Sequence, residues 1–327
     1  MTRKQWVMFG CLVITLTGLW LGISRREVQA TPNGVAKIAP GVWFREGDLK
    51  EKGHCNNIWI EMKDYIIVVD ANYPSGAEAC LVDIKKTSNK PVKVVFDTHH
   101  HGDHAYGNPV WTKLGATTLA YVGVSEEMKR YEPKRWLEAA KTREDVTALK
   151  LPTAEPPRQT FAGRKYVLED STRKVEFYFF GWAHTRGDGF VYLPKEKILC
   201  TGDAVVNGPY NYMGDGNVGN WPDVINQALQ LDVATVLPGH GVPGSREVLL
   251  GERQFIDELE KAVQAAVKAG KKLEDLVVKD GDKLTGAKIQ LPETVKNWVG
   301  DFFPGQIEVV YKEITLGKPH GEISGGK

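Results

Sequence analysis

The sequence predicts an α/β fold in which layers of helix cover sheet. Apolar, β-branched runs of strand length alternate with segments of helical period through both halves of the 327 residues. No repeat of solenoid length and no long linker divides them. Six of the eight histidines follow closely on short apolar strands, at the strand-end loops where α/β proteins gather reactive groups. Apolar residues at 42% and charged residues at 25% match ordinary globular chains, which excludes disorder, collagen and coiled coil as the main character.

Residues 1–30 read as a signal peptide outside the fold. Arg3 and Lys4 form a basic start, Trp6 to Ile23 is an uncharged apolar run, and Val28-Gln29-Ala30 suits a cleavage site. The competing reading is an uncleaved anchor, with residues 6–23 as a membrane tether and Arg25 and Arg26 behind them. Either way the expected location is periplasmic or secreted, or membrane-anchored and facing outside the cytoplasm. The domain proper is expected over 31–250, with 251–327 as a C-terminal helical extension packed on it.

Within the domain, Asn57–Met62 and Tyr65–Asp70 read as strands joined by the two-residue turn Lys63-Asp64. A helix follows over Gly76–Thr87, a strand over Pro91–Asp97 and a helix over Val124–Lys141. Residues 143–163, with three prolines, read as an irregular loop that could rim a substrate site. Strands are expected at Arg173–Gly181, Gly189–Leu193, Ile198–Thr201 and Ala234–Leu237, with a helix near Pro222–Leu231. Arg246–Ala269 has the clearest helical period, from Val248 to Val267, and Gly270 stands where a C-terminal cap belongs. Shorter helices are expected at Glu293–Phe303 and Gln306–Ile314, covering a sheet face rather than touching substrate, and Leu316–Lys327 reads as a frayed tail.

The formal charge is +1, and the absence of a basic stripe leaves no nucleic-acid partner to expect. A small-molecule substrate is the expected partner, and the sequence leaves the oligomeric state open. Cys55, Cys80 and Cys200 are too few for a disulfide scaffold in a domain of this size. A Cys55–Cys80 bridge is open in an oxidising compartment, whereas Cys200, in an apolar run, reads as a small buried hydrophobe without a base partner.

The chemistry concentrates in four short segments. These are His99-His100-His101-Gly102-Asp103-His104 after Val92–Asp97, Gly181 to Asp188 around His184, Thr201-Gly202-Asp203, and Pro238-Gly239-His240-Gly241. A lone histidine is usually a surface or satisfied core group, and His54 and His320 read that way. His100, out of phase with its neighbours, reads as a packing or supporting residue. Alternating imidazoles with a carboxylate disfavour their own protonated forms, and neutral imidazoles with ionised carboxylates are what a divalent cation needs.

These motifs together, with Val68-Val69-Asp70 before them, closely resemble the metallo-β-lactamase-fold superfamily of binuclear metallohydrolases over residues 35–250. The resemblance implies a four-layer αββα sandwich with metals at one edge. It implies that His99, His101 and His184 hold one cation, that Asp103, His104 and His240 hold a second, that Asp203 bridges both, and that Asp70 orients a ligand. β-Lactamases of the superfamily usually carry Cys or Ser at the position of Asp203; an aspartate resembles the glyoxalase II and lactonase branches. Two zinc ions fit the all-nitrogen-and-oxygen set, and iron or manganese accept the same donor types. The expected activity is hydrolysis of a lactam, lactone, ester or thioester by a hydroxide shared between the cations. Asp103 would orient that nucleophile or relay its proton. The alternatives are an iron-dependent redox enzyme of persulfide dioxygenase type and a non-catalytic periplasmic metal-binding protein. In Asn207–Pro222, Tyr210, Tyr212 and Trp221 either wall the site or pack down onto the surface.

Overall fold

The computed structural model describes residues 34–323. The N-terminal segment 1–30, with the expected signal or anchor, lies outside the described residues. Among the described residues no helix is long and apolar enough to cross a membrane.

Seven strands form the first sheet in chain order: β1 (Val35–Ala39), β2 (Val42–Arg45), β3 (Asn57–Glu61), β4 (Ile66–Val69), β5 (Val92–Asp97), β6 (Thr117–Tyr121) and β7 (Gln159–Phe161). β1 to β4 meander antiparallel, and β4 to β7 run parallel. Short turns suffice for the first half, whereas parallel pairing needs crossovers. Helix α1 (Leu49–Lys52) lies between β2 and β3. The crossovers carry α2 (Pro74–Thr87), then α3 (Gly102–Ala105) and α4 (Asn108–Lys113), then α5 (Val122–Thr142) and α6 (Glu144–Thr147).

The second sheet has five strands, β8 (Lys165–Glu169), β9 (Lys174–Phe179), β10 (Gly189–Leu193), β11 (Ile198–Gly202) and β12 (Thr235–Pro238), antiparallel except for β11 and β12. Helix α7 (Trp221–Ala228) makes that parallel crossover. Beyond it come α8 (Glu247–Lys268), the hairpin β13 (Val277–Asp280) and β14 (Lys283–Ala287), α9 (Phe303–Leu316) and α10 (His320–Ile323).

Alternation along the strands divides the side chains between layers. Ile58, Ile60, Ile67 and Val69 point inward to meet Phe177, Val191 and Cys200 of the other sheet. Trp59, Ile66 and Val68 point outward beneath Ala77, Cys80 and Ile84 of α2. On the far side Phe190, Leu199 and Val236 pack under Ile225 of α7, Phe255 of α8 and Ile307 of α9. The result is the four-layer αββα sandwich, in which each large buried side chain contributes about 1.5–3 kcal/mol of transfer free energy.

Several elements differ from the sequence expectation. β1, β2, β6 and β8 are short strands without an extended alternating run. The expected loop 143–163 contains α6 and the edge strand β7, because Thr160 and its neighbours pair with β6. Glu293–Trp298 is a 3₁₀ turn that ends at an extended Val299, so α9 begins only at Phe303. The tail expected to fray is folded through α10, with Gly321 buried; residues 324–327 lie outside the described residues. Cys55 and Cys80 are free and buried, so the open question of a bridge closes against it. Cys200 is buried too.

Candidate metal centre

The four motif segments meet at one edge of the sandwich. β5 ends in Asp97 and delivers 98–104, β11 delivers Asp203, β12 delivers His240, and the link between β9 and β10 carries His184. The backbone makes room for this crowding. A Cβ at Gly239 would collide with Asp203 Oδ1, and Gly202, at φ +51°, passes against Thr98 where a Cβ has no space.

Three imidazole nitrogens converge on one point: His99 Nε2 and His101 Nδ1 are 3.1 Å apart, and His184 Nε2 lies 3.0 Å from His101 Nδ1. Beside them, His240 Nε2 is 3.0 Å from Asp103 Oδ2, and His104 Nε2 is 3.4 Å from both Asp103 Oδ2 and His240 Nε2. Asp203 stands between the groups, with Oδ1 3.4 Å from His104 Nε2 and Oδ2 3.4 Å from His240 and 3.9 Å from His184. Its Oδ1 is buried without a hydrogen-bond partner. Donors about 2.0–2.1 Å from a tetrahedral cation are spaced about 3.3 Å from one another. The observed spacings and the orphaned carboxylate oxygen therefore fit two divalent cations with Asp203 shared.

The far sides of the rings are held. His101 Nε2 donates to Asp215 at 2.8 Å, His104 Nδ1 donates to Asp70 at 2.9 Å, and His184 Nδ1 donates to the Tyr212 carbonyl at 2.8 Å. His99 Nδ1 lies 3.1 Å from Thr98 Oγ1. These contacts turn a lone pair of each ring toward the convergence point. Asp70 also accepts the Thr98 N–H at 2.8 Å, and its φ of +66° is a left-handed conformation that this bonding holds in place.

The two clusters differ in charge. Burial, followed by the neighbouring imidazoles, holds His99 well below the ordinary histidine range and His184 at about 3. At the other cluster burial opposes the charged ring, but the Asp203 and Asp103 carboxylates outweigh it and lift His240 to about 9. Asp203 is held well below the ordinary carboxylate range against its own burial by His240 and His104. Cys55, close to Asp70 and His104, has its thiol pushed up to about 12 by burial, which leaves it a neutral neighbour.

Sequence reasoning missed the supports behind the first cluster. Arg135 of α5 clamps Asp215 with two hydrogen bonds of 2.7 and 2.9 Å. His100, the one support the sequence did suggest, is buried, lies 3.3 Å from the same guanidinium and stacks on Tyr131. Asp188 accepts the Thr185 N–H and hydroxyl and the Ala183 N–H, which fixes the loop around His184. Asp215 had one legible signal, its place between Gly214 and Gly216 in the loop after Asp203. His54 and His320 are in neither cluster: His54 pairs with Ser75 Oγ at 2.8 Å, and His320 Nδ1 donates to the Gly214 carbonyl.

Above the donors lies a cleft of about 470 Å³. Tyr210 and Tyr212 line it, whereas Trp221 is fully buried and donates to the Ala204 carbonyl, so the aromatic loop divides between wall and core. Leu49, Tyr73, Tyr106 and Ala139 line it too, and no residue of the segment 143–163 does. Phe302 also reaches the cleft, so the C-terminal region does more than cover a sheet.

Residues 51–240 match the model of the Metallo-beta-lactamase superfamily. Metallo-beta-lactamase IND-1 of Chryseobacterium indologenes is 27% identical over 191 residues, 57% of this chain and 71% of that one. The alpha subunit of a 2,4-dinitroanisole O-demethylase from Nocardioides sp. (strain JS1661) is 24% identical over 204 residues, 62% of this chain and 56% of the relative. A solved metallo-beta-lactamase from Pontibacter korlensis superposes with a TM-score of 0.55 at 23% identity, over 68% of this chain and 98% of that one, which shows a shared fold. The chain therefore belongs to the metallo-β-lactamase superfamily and is a metal-dependent hydrolase.

Proposed function

We propose that this chain is an exported, two-zinc hydrolase that cleaves a lactam, lactone, ester or thioester. The observation that carries it is the convergence of seven donors in two clusters, with Asp203 between them and its Oδ1 orphaned. The reading of export rests on residues 1–30.

His99, His101 and His184 would hold one cation, Asp103, His104 and His240 the other, and Asp203 both. Two bound cations supply hydroxide at neutral pH and polarise a carbonyl. The remaining work falls to the chain. Asp103 lines the cleft floor with its side chain partly exposed, where its Oδ can accept a proton from the nucleophile and return it to the leaving group. Asp215 and Asp70 keep the histidine tautomers fixed while that proton moves. The cleft walls exclude bulk water and position the scissile bond over Asp103.

The test is elemental analysis of the purified mature chain, with hydrolysis of nitrocefin, a γ-lactone and a thioester measured on the same sample. The set is broad because the relatives are named for β-lactams and for 2,4-dinitroanisole. About two zinc ions per chain with chelator-sensitive turnover is the expected result. One iron per chain with no hydrolysis would overturn it in favour of redox chemistry.

A further inference from the structure

The cleft over the metal centre has aromatic walls and almost no free positive charge. One wall holds Tyr73 and Tyr106 edge to face, with ring centroids 5.7 Å apart. The other holds Tyr210, Tyr212 and Phe302, the last two 6.2 Å apart and about half exposed at 42% and 46%. These rings come from four separate parts of the chain, so no single helix or loop periodicity accounts for their meeting. They also stand within one ring of the donors: Tyr212 is 5.7 Å from His101, and Tyr210 is 6.2 Å from His240, centroid to centroid.

Among the described residues that line the cleft, Arg135 is the sole lysine or arginine. Both of its terminal nitrogens are engaged by Asp215, so its charge is compensated. Arg143, outside the lining, sits over the Tyr73 ring and pairs with Asp145. A carboxylate carried by a substrate would therefore lose water without gaining a cation from the walls. An aryl ring would gain flat and edge contacts on either side.

Resting on the hydrolase reading above, we infer that the substrate is an uncharged ester or lactone whose ester oxygen carries an aryl group. The reaction adds one water across the acyl C–O bond: the carbonyl carbon gains an oxygen, and the leaving oxygen takes the proton. A volume of about 470 Å³ is in the range of small-molecule sites and holds a bicyclic ester with room to spare.

The experiment uses the zinc-loaded full chain and three lactones of one ring size: dihydrocoumarin, its 6-carboxylate and δ-valerolactone. Each kcat/KM is divided by the rate constant for hydrolysis by hydroxide, which removes intrinsic reactivity. Dihydrocoumarin is expected to exceed each of the other two at least tenfold. In the Tyr212→Ala/Phe302→Ala double variant, the aryl-to-alkyl ratio falls at least fivefold. Both side chains sit on the rim, and the Tyr212 carbonyl that holds His184 is kept. Equal or better turnover of the carboxylate or of δ-valerolactone overturns this inference and leaves the hydrolase reading standing. Absence of turnover with all three also overturns this inference, and it strikes the hydrolase reading only if nitrocefin and a thioester are left intact as well. Calorimetry with the unreactive ketones 2-tetralone and cyclohexanone separates the cases: tenfold tighter binding of 2-tetralone, lost in the double variant, supports aromatic recognition, and equal binding overturns it whatever the turnover.

Discussion

The two clusters of the candidate metal centre flank one aspartate, Asp203, but differ in how they are charged and supported. His99, His101 and His184 form a neutral, largely buried triad whose main supports come from the chain around Asp215 and Arg135. Asp103, His104 and His240 form a charged group in which carboxylates stabilise protons on the rings, and the main support is Asp70. The first cluster is ready for a cation as it stands. The second must release protons to accept one. On the proposed two-cation reading, protonation would favour filling the first cluster before the second.

The hardest way to break the comparison is to remove what the clusters share. Asp203→Ala is expected to lower kcat/KM by roughly 10³-fold and to reduce bound zinc below two per chain by elemental analysis. Two milder substitutions sharpen the contrast instead. Asp215→Asn should weaken the first equivalent of zinc by about 10–100-fold and Asp70→Asn the second by a similar factor, read as two resolved steps in a calorimetric titration. Asparagine tolerates the left-handed backbone at position 70, so that variant isolates the carboxylate. If both variants weaken the same step, the division into two clusters is wrong.

Unit for unit, pH has the smallest effect. A ring raised to about 9 holds its proton below that value, so the second equivalent should lose up to about tenfold in affinity for each unit by which pH falls below 9, per proton displaced. His184, at about 3, carries no proton to displace between pH 5 and 9, and burial lowers His99 and His101 in the same direction, so the first equivalent should depend less steeply on pH. Titrations in buffers of different ionisation enthalpy count the protons released at each step.

The donors were legible in the sequence because each sits within a few residues of a strand end, where spacing along the chain maps directly onto spacing in space. His99, His101, Asp103 and His104 fall within six residues, and His184, Asp203 and His240 each follow or precede a strand by one or a few positions. The strands that were missed, such as β6 and β8, are short or lie at an edge, where pairing rather than side-chain pattern defines them. Asp215 and Arg135 were not legible because they are 80 residues apart, and nothing local marks an acid in a glycine loop as the partner of a helical arginine. The cleft walls were harder still: Leu49, Tyr106 and Phe302 meet only after both sheets have closed.

The clasp at α10 has a consequence for the order in which the molecule is made. Gly321 donates its N–H to the Gly216 carbonyl and accepts from Tyr131 Oη, while His320 holds the Gly214 carbonyl. The loop that presents Asp215 is thus pinned from both sides by the last of the described elements to leave the ribosome. Until that turn emerges, a growing chain carries every imidazole of the first cluster but not the settled carboxylate that aims His101. A chain cut before His320 is therefore expected to lose both anchors of the Asp215 loop and to aim His101 less firmly.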